Sequence, residues 1–180
     1  MIANDFLSQV FMDREWKRGV RIANKVLNST EFAFWKEHSQ SKQVLFKFWV
    51  AKEATYKMAS RQSPIPRTFA PKALSCQFVD EDQFRSQYQA QTYSGKCLSN
   101  EKGLLAVIQM DPRLSTNHFW VPYTTGQRAG ARHRMLSTLK ESHPACFEAI
   151  ASSDFTRRDH AELCRSYCAP WGVCSFETGH

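Results

Sequence analysis

Between Trp49 and Lys57 the chain reads Trp49-Val50-Ala51-Lys52-Glu53-Ala54-Thr55-Tyr56-Lys57, three charges set into an otherwise apolar stretch. On a helix, Glu53 and Lys57 stand at i and i+4 and share a face, while Lys52 lies about 100° around from Glu53. Taken alone, a Glu-to-Lys pair of this spacing is an ordinary surface ion pair worth a few tenths of a kcal/mol. A second feature changes that reading. Asp5, in Ile2-Ala3-Asn4-Asp5-Phe6, is an acid inside an apolar strand-like segment. A buried carboxylate is costly unless it is paired or holds a metal. A strand-end acid and a helical glutamate together can hold a hard divalent cation, whose remaining positions go to water and substrate phosphates. Lysines beside that glutamate would neutralise the same phosphates. The chemistry this arrangement suits is phosphoryl or phosphodiester transfer from a nucleotide-like donor.

These residues need elements to hold them. The clearest is a helix over Lys42–Ser60, in which Val44, Phe48, Ala51, Thr55 and Met58 recur at helical spacing and form a buried stripe. Ile2–Val10 reads as a first strand. Asp13–Leu27 reads as a basic helix, and Ser29-Thr30-Glu31 starts another over Glu31–His38. Pro64, Pro66 and Pro71 then impose a loop that ends in a strand over Ala73–Val79. Tyr88–Tyr93 and Leu104–Met110 read as antiparallel strands, with turns at Ser94-Gly95 and Lys102-Gly103, and Phe119–Tyr123 as a further strand. Arg128–Lys140 is a basic helix candidate and Cys146–Ala151 a weaker one. The last thirty residues show no clean period. The expectation is an α+β fold, an antiparallel sheet carrying the Asp5 strand with the Lys42–Ser60 helix packed across it. Residues 1–125 would form its core and 126–180 a C-terminal extension of the same domain.

Composition bounds the possibilities. A chain of 180 residues can bury about 70% of its unfolded surface, so its core needs no staples. Hydrophobic residues at 42% and charged residues at 23% exclude a disordered or collagen-like chain. No apolar run reaches the roughly 20 residues that cross a bilayer, and the N-terminus lacks the basic start of a secretory signal, so a soluble cytoplasmic protein is expected. The six cysteines are then reduced thiols. His160, Cys164 and Cys168 fall at i, i+4 and i+8 with Cys174 beyond, but the paired C-x-x-C spacing of structural zinc sites is missing. There is neither a G-x-x-x-x-G-K-[ST] loop nor a G-x-G-x-x-G. The net charge of +7 favours an anionic partner without choosing one. Arg128, Arg132, His133 and Arg134 could meet a phosphate or an acidic protein, or simply form a solvated basic face.

Trp49…Lys52-Glu53-Ala54…Lys57 resembles the W-x-x-K-E-A-x-x-K signature of the 4′-phosphopantetheinyl transferase superfamily, of the holo-acyl-carrier-protein synthase kind. Ile2-Ala3-Asn4-Asp5-Phe6 is similar to its G-x-D-[IV] metal motif. Asn24-Lys25-Val26-Leu27…Glu31 is similar to the segment between the motifs, and Tyr56-Lys57-Met58-Ala59-Ser60-Arg61-Gln62…Pro71 to a run of a bacterial branch. The resemblance covers residues 1–110. It implies an enzyme that uses Mg2+ and coenzyme A and transfers the phosphopantetheine arm to a serine of an acyl or peptidyl carrier protein, in fatty acid or secondary-metabolite biosynthesis. By the same resemblance Asp5 and Glu53 are the metal ligands and Glu53 helps deprotonate the serine. Lys57 stabilises the pyrophosphate and leaving group as a catalytic and cofactor-binding residue, and Lys52 binds coenzyme A. No membrane or nucleic-acid partner is expected, and room is left for a homo-oligomer. Three departures stand out. Ala3 replaces the motif's glycine, Leu7 and Ser8 stand where many members carry a second acid, and no Ser-x-Ser-His string exists, the nearest being Ser175-Phe-Glu-Thr-Gly-His180. They motivate the alternative of a non-catalytic relative that binds carrier protein or coenzyme A.

Overall fold

A computed structural model describes residues 2–65, 68–110, 115–122, 167–168 and 171–178, with Ser137, Lys140 and Glu141 in helical conformation. The chain divides into two compact units, Met1–Arg113 and Leu114–His180.

In the first unit β1 (Ile2–Ser8) leads into α1 (Gln9–Trp16), α2 (Gly19–Val26), α3 (Ser29–Glu37) and the long α4 (Lys42–Gln62). A 3-10 turn at Pro71–Ala73 then precedes β2 (Leu74–Phe78), β3 (Gln83–Tyr88), β4 (Gln91–Asn100) and β5 (Gly103–Gln109). The five strands form one antiparallel sheet in the order β1-β5-β4-β3-β2, so the first strand lies beside the last. The fold is α+β. β1 joins an edge through β5, in a register that sets Ala3 opposite Ile108, Asp5 opposite Ala106 and Leu7 opposite Leu104. Because strand side chains alternate between faces, these six share one face, and α4 packs across it against all five strands.

The burial of α4 explains its fixed position. Leu45, Phe46, Phe48, Val50, Ala51, Ala54, Met58 and Ala59 are all buried, a wider band than the single stripe read from periodicity, and Val44 is only half-buried. Ala51 and Ala54 carry only a methyl group and let the helix backbone approach the sheet.

Several elements differ from their sequence reading. The first strand ends at Ser8, so Gln9 and Val10 belong to α1. The basic helix over Asp13–Leu27 is two helices that part at Lys17-Arg18, with Gly19 opening α2 against the Trp16 ring, 2.9 Å from where a Cβ would sit. The strand read over Tyr88–Tyr93 straddles a turn at Gln89, which has φ 55°, and Gly95 lies inside β4 rather than in a turn. Gly95 serves packing there, since a Cβ would lie 2.4 Å from the Phe84 ring and 2.5 Å from the Val107 carbonyl oxygen.

In the second unit, β6 (Ser115–Pro122), β7 (Tyr167–Cys168) and β8 (Trp171–Thr178) form an antiparallel sheet in the order β6-β8-β7. The strand expected over Phe119–Tyr123 is β6, which starts earlier. β6 pairs with β8, and the second unit begins at Leu114. The helices expected over Arg128–Lys140 and Cys146–Ala151 lie, but for Ser137 and Lys140, outside the described residues, as do His160 and Cys164.

Candidate active site

The site forms where β1 passes under α4. Asp5 faces the helix from the strand and is 2% exposed. One helical turn separates Glu53 from Lys57 on the face that meets it. The Lys57 ammonium donates to Asp5 Oδ1 at 2.5 Å. Trp49, one turn earlier, donates its indole N–H to Glu53 Oε1 at 2.7 Å. The Trp49 ring is held edge-on by Phe11, with centroids 5.8 Å apart, and stacked on Phe46 at 6.0 Å. Trp49 therefore holds the Glu53 carboxyl in place, as its i to i+4 spacing from Glu53 on the helix allows. At the far end of the stripe, the Arg61 guanidinium donates to the Ile2 carbonyl and ties the start of β1 to α4.

Asp5 Oδ2 has no hydrogen-bond donor although it is buried. Its neighbour is Glu53, whose carboxyl lies in reach and is also an acceptor. Burial pushes the Asp5 carboxyl up to about 7, the charge of Glu53 adds to this, and Lys57 opposes it. Two facing carboxylates with an undonated oxygen need either a shared proton or a cation between them. The donor set is all oxygen, which suits Mg2+. Among the described residues no cluster of three or more His, Cys, Asp or Glu side chains surrounds it, so two protein carboxylates would leave the rest of an octahedron to water and substrate phosphates.

Lys52 does not join this group. It is fully buried and donates all three protons inward, to Glu31 Oε2 at 2.5 Å, the Val26 carbonyl at 2.9 Å and the Pro71 carbonyl at 3.0 Å. All three of its donors are taken within the fold, where the sequence reading expects it to bind coenzyme A. What the sequence reading does not foresee is that Glu31 pairs with Lys52. Glu31 and Asn28 cap the start of α3 reciprocally, at 2.9 and 3.0 Å, so the helix starts at Ser29, two residues before the Glu31–His38 reading. Its Oε1 accepts from the Cys76 backbone N–H of β2 at 2.8 Å. Burial draws the Lys52 ammonium below the ordinary lysine value, with Glu31 opposing.

The Asp5 environment gives a pH-dependent stability. The folded protein keeps the Asp5 proton up to about pH 7, whereas the unfolded chain gives it up near the ordinary value of 3.8. Between those values the folded state binds more protons, so the stability this group contributes is lost as pH rises. Asp5→Asn removes the charge and keeps the shape. In the presence of chelator, its melting temperature relative to the parent should be several degrees higher at about pH 8 than at about pH 5. A difference that does not move with pH would place Asp5 in a solvated setting.

The family model of the 4′-phosphopantetheinyl transferase superfamily matches residues 4–109. None of the curated proteins or solved structures compared with the chain matches it. The matched segment lies within the first compact unit and contains Asp5, the Trp49–Glu53 pair and Lys57. With more than half of its residues in that match, the chain belongs to the 4′-phosphopantetheinyl transferase superfamily.

Proposed function

We propose that the protein transfers 4′-phosphopantetheine from coenzyme A to a serine of an acyl or peptidyl carrier protein, as a Mg2+-dependent enzyme of the holo-acyl-carrier-protein synthase type. The superfamily supports phosphopantetheine transfer in general. The observation that carries the finer reading is the convergence of Asp5, Glu53 and Lys57 around a buried, undonated carboxylate oxygen.

In this reading Asp5 and Glu53 hold the metal, which when bound supplies charge neutralisation to the pyrophosphate of coenzyme A. The serine Oγ attacks the pantetheine-side phosphorus. Glu53, its Oε1 fixed by Trp49, takes the serine proton directly or through water. A new P–O bond forms as the bridging P–O bond breaks, and the electron pair leaves with adenosine 3′,5′-bisphosphate. Lys57 neutralises the negative charge that grows on that leaving group. Its side chain is 30% exposed, against 3% for Asp5, so the ammonium can be met from outside.

Incubation with coenzyme A, Mg2+ and a panel of apo carrier proteins, read by intact mass, tests the proposal. A carrier that gains the mass of one phosphopantetheine, and does so only with metal, is the expected result. Binding of coenzyme A without transfer to any carrier would leave the non-catalytic relative, which the departures at Ala3, Leu7 and Ser8 favour.

Carrier proteins of this kind are acidic, and a chain of net charge +7 is steered towards them. Arg18 and Arg21 are exposed at the start of α2 and line, with Trp16 and Lys17, a surface cleft of about 780 Å³. Arg128, Arg132 and Arg134, the other basic group, lie outside the described residues. Reversing Arg18 and Arg21 to Glu should raise the KM for carrier protein about tenfold and flatten its salt dependence, with the constant for coenzyme A little changed. A rise confined to the coenzyme A constant would make these arginines phosphate ligands instead.

A further inference from the structure

We infer that Lys57 and the divalent cation compete for Asp5, so that the arriving metal drives the lysine off the aspartate and towards the substrate phosphates; this rests on the metal reading above. The argument begins with one buried carboxyl group serving two positive groups. Lys57 Nζ donates to Oδ1 at 2.5 Å, while Oδ2 is buried without a donor and the charge of Glu53 acts on the same carboxyl. A cation held by Oδ2 and Glu53 and an ammonium held by Oδ1 would crowd a single carboxylate in a poorly hydrated pocket, where like charges repel strongly.

One of the two must yield, and the structure makes it the lysine. Asp5 is fixed in a strand paired to β5 and its side chain is buried, so it has nowhere to go. α4 is fixed as well, by its buried band and by the Arg61 contact to the Ile2 carbonyl. Lys57 has a flexible stem and a side chain that is 30% exposed, which gives its ammonium a way outward. The lysine that neutralises the leaving group is thus stored on the metal ligand and released when the metal binds.

Two opposite effects of one substitution follow. Lys57→Met should lower transfer yet raise the affinity of the protein for metal in the absence of coenzyme A. A lysine that only supported the phosphates would leave that affinity unchanged. The test is a titration of the full chain with Mn2+, read by electron paramagnetic resonance, for the parent, Lys57→Met and Asp5→Asn, at low and high salt. Binding to Lys57→Met should be about tenfold tighter than to the parent, the worth of one charge-assisted hydrogen bond, and should stay tighter at high salt because the contact is partly buried. Equal or weaker binding overturns the inference. A gain that vanishes at high salt also overturns it, since that would be a long-range field effect. If Asp5→Asn still binds Mn2+ as the parent does, the metal site itself is wrong, which is a separate failure. Should Lys57→Met fail to fold, Lys57→Gln carries the same test.

Discussion

Glu53→Gln is expected to lower phosphopantetheine transfer by about a thousandfold or more while leaving the melting temperature unchanged or slightly raised. The loss follows from charge. An amide is a poor ligand for Mg2+ and no base for the serine proton. The preserved stability follows from the hydrogen bonds. The oxygen of the introduced amide can still accept from the Trp49 indole, as Glu53 Oε1 does at 2.7 Å. Its NH2 would bring a donor close to the Asp5 carboxyl, whose buried Oδ2 has none. The substitution also removes the negative charge that, after burial, pushes the Asp5 carboxyl up. The strain relieved is the strain the site uses, the usual trade of stability against activity at a preorganised centre. Activity assayed with Mg2+ and a responsive carrier protein, beside thermal unfolding in chelator, checks both halves. Turnover near that of the parent would dismiss Glu53 as a catalytic group, and a large fall in melting temperature would make its carboxylate structural.

The parts of this site that can be read from the chain are those that depend on local spacing. Glu53 and Lys57 at i and i+4, and Asp5 in an apolar strand, need only a helix and a strand around them, and both form there, the helix running two residues further than read and the strand ending at Ser8. What spacing does not supply is which side of α4 the third charge takes. A helix with an amphipathic stripe would turn Lys52 to solvent or to a ligand. α4 is buried over most of its circumference, so a residue 100° from Glu53 enters the interior instead. Its partner, Glu31, reads as a helix-start acid because it is one, and only the tertiary fold reveals that the same carboxylate also reaches β2. The hairpin of β3 and β4 is misread for a similar reason. Gly95 is a glycine because Phe84 fills the space of its side chain, a contact from a neighbouring strand that reads locally as a turn.

The buried lysine gives the largest expected effect on stability. Lys52→Met keeps the length and much of the volume of the side chain and removes its charge. Glu31 would then be a buried anion without a counter-ion, and the Val26 and Pro71 carbonyls would each lose a donor. Breaking one side of a buried pair costs about 3–5 kcal/mol, against a total stability of about 5–15 kcal/mol for a domain. The first unit would be brought to the edge of unfolding. The contacts involved bind the end of α2, the start of α3, the Pro71–Ala73 turn and the edge strand β2, so the damage should be cooperative rather than local. Adding Glu31→Gln removes the stranded charge, and the double variant should melt higher than Lys52→Met alone. Recovery will be partial, because Glu31 accepts from both Asn28 and Cys76 through its two oxygens and an amide offers only one acceptor. A ligand-facing lysine would behave in the opposite way, with Lys52→Met folding normally and the KM for coenzyme A rising. Denaturant unfolding of the two variants beside the parent, together with that KM, therefore decides whether Lys52 serves the fold or the substrate.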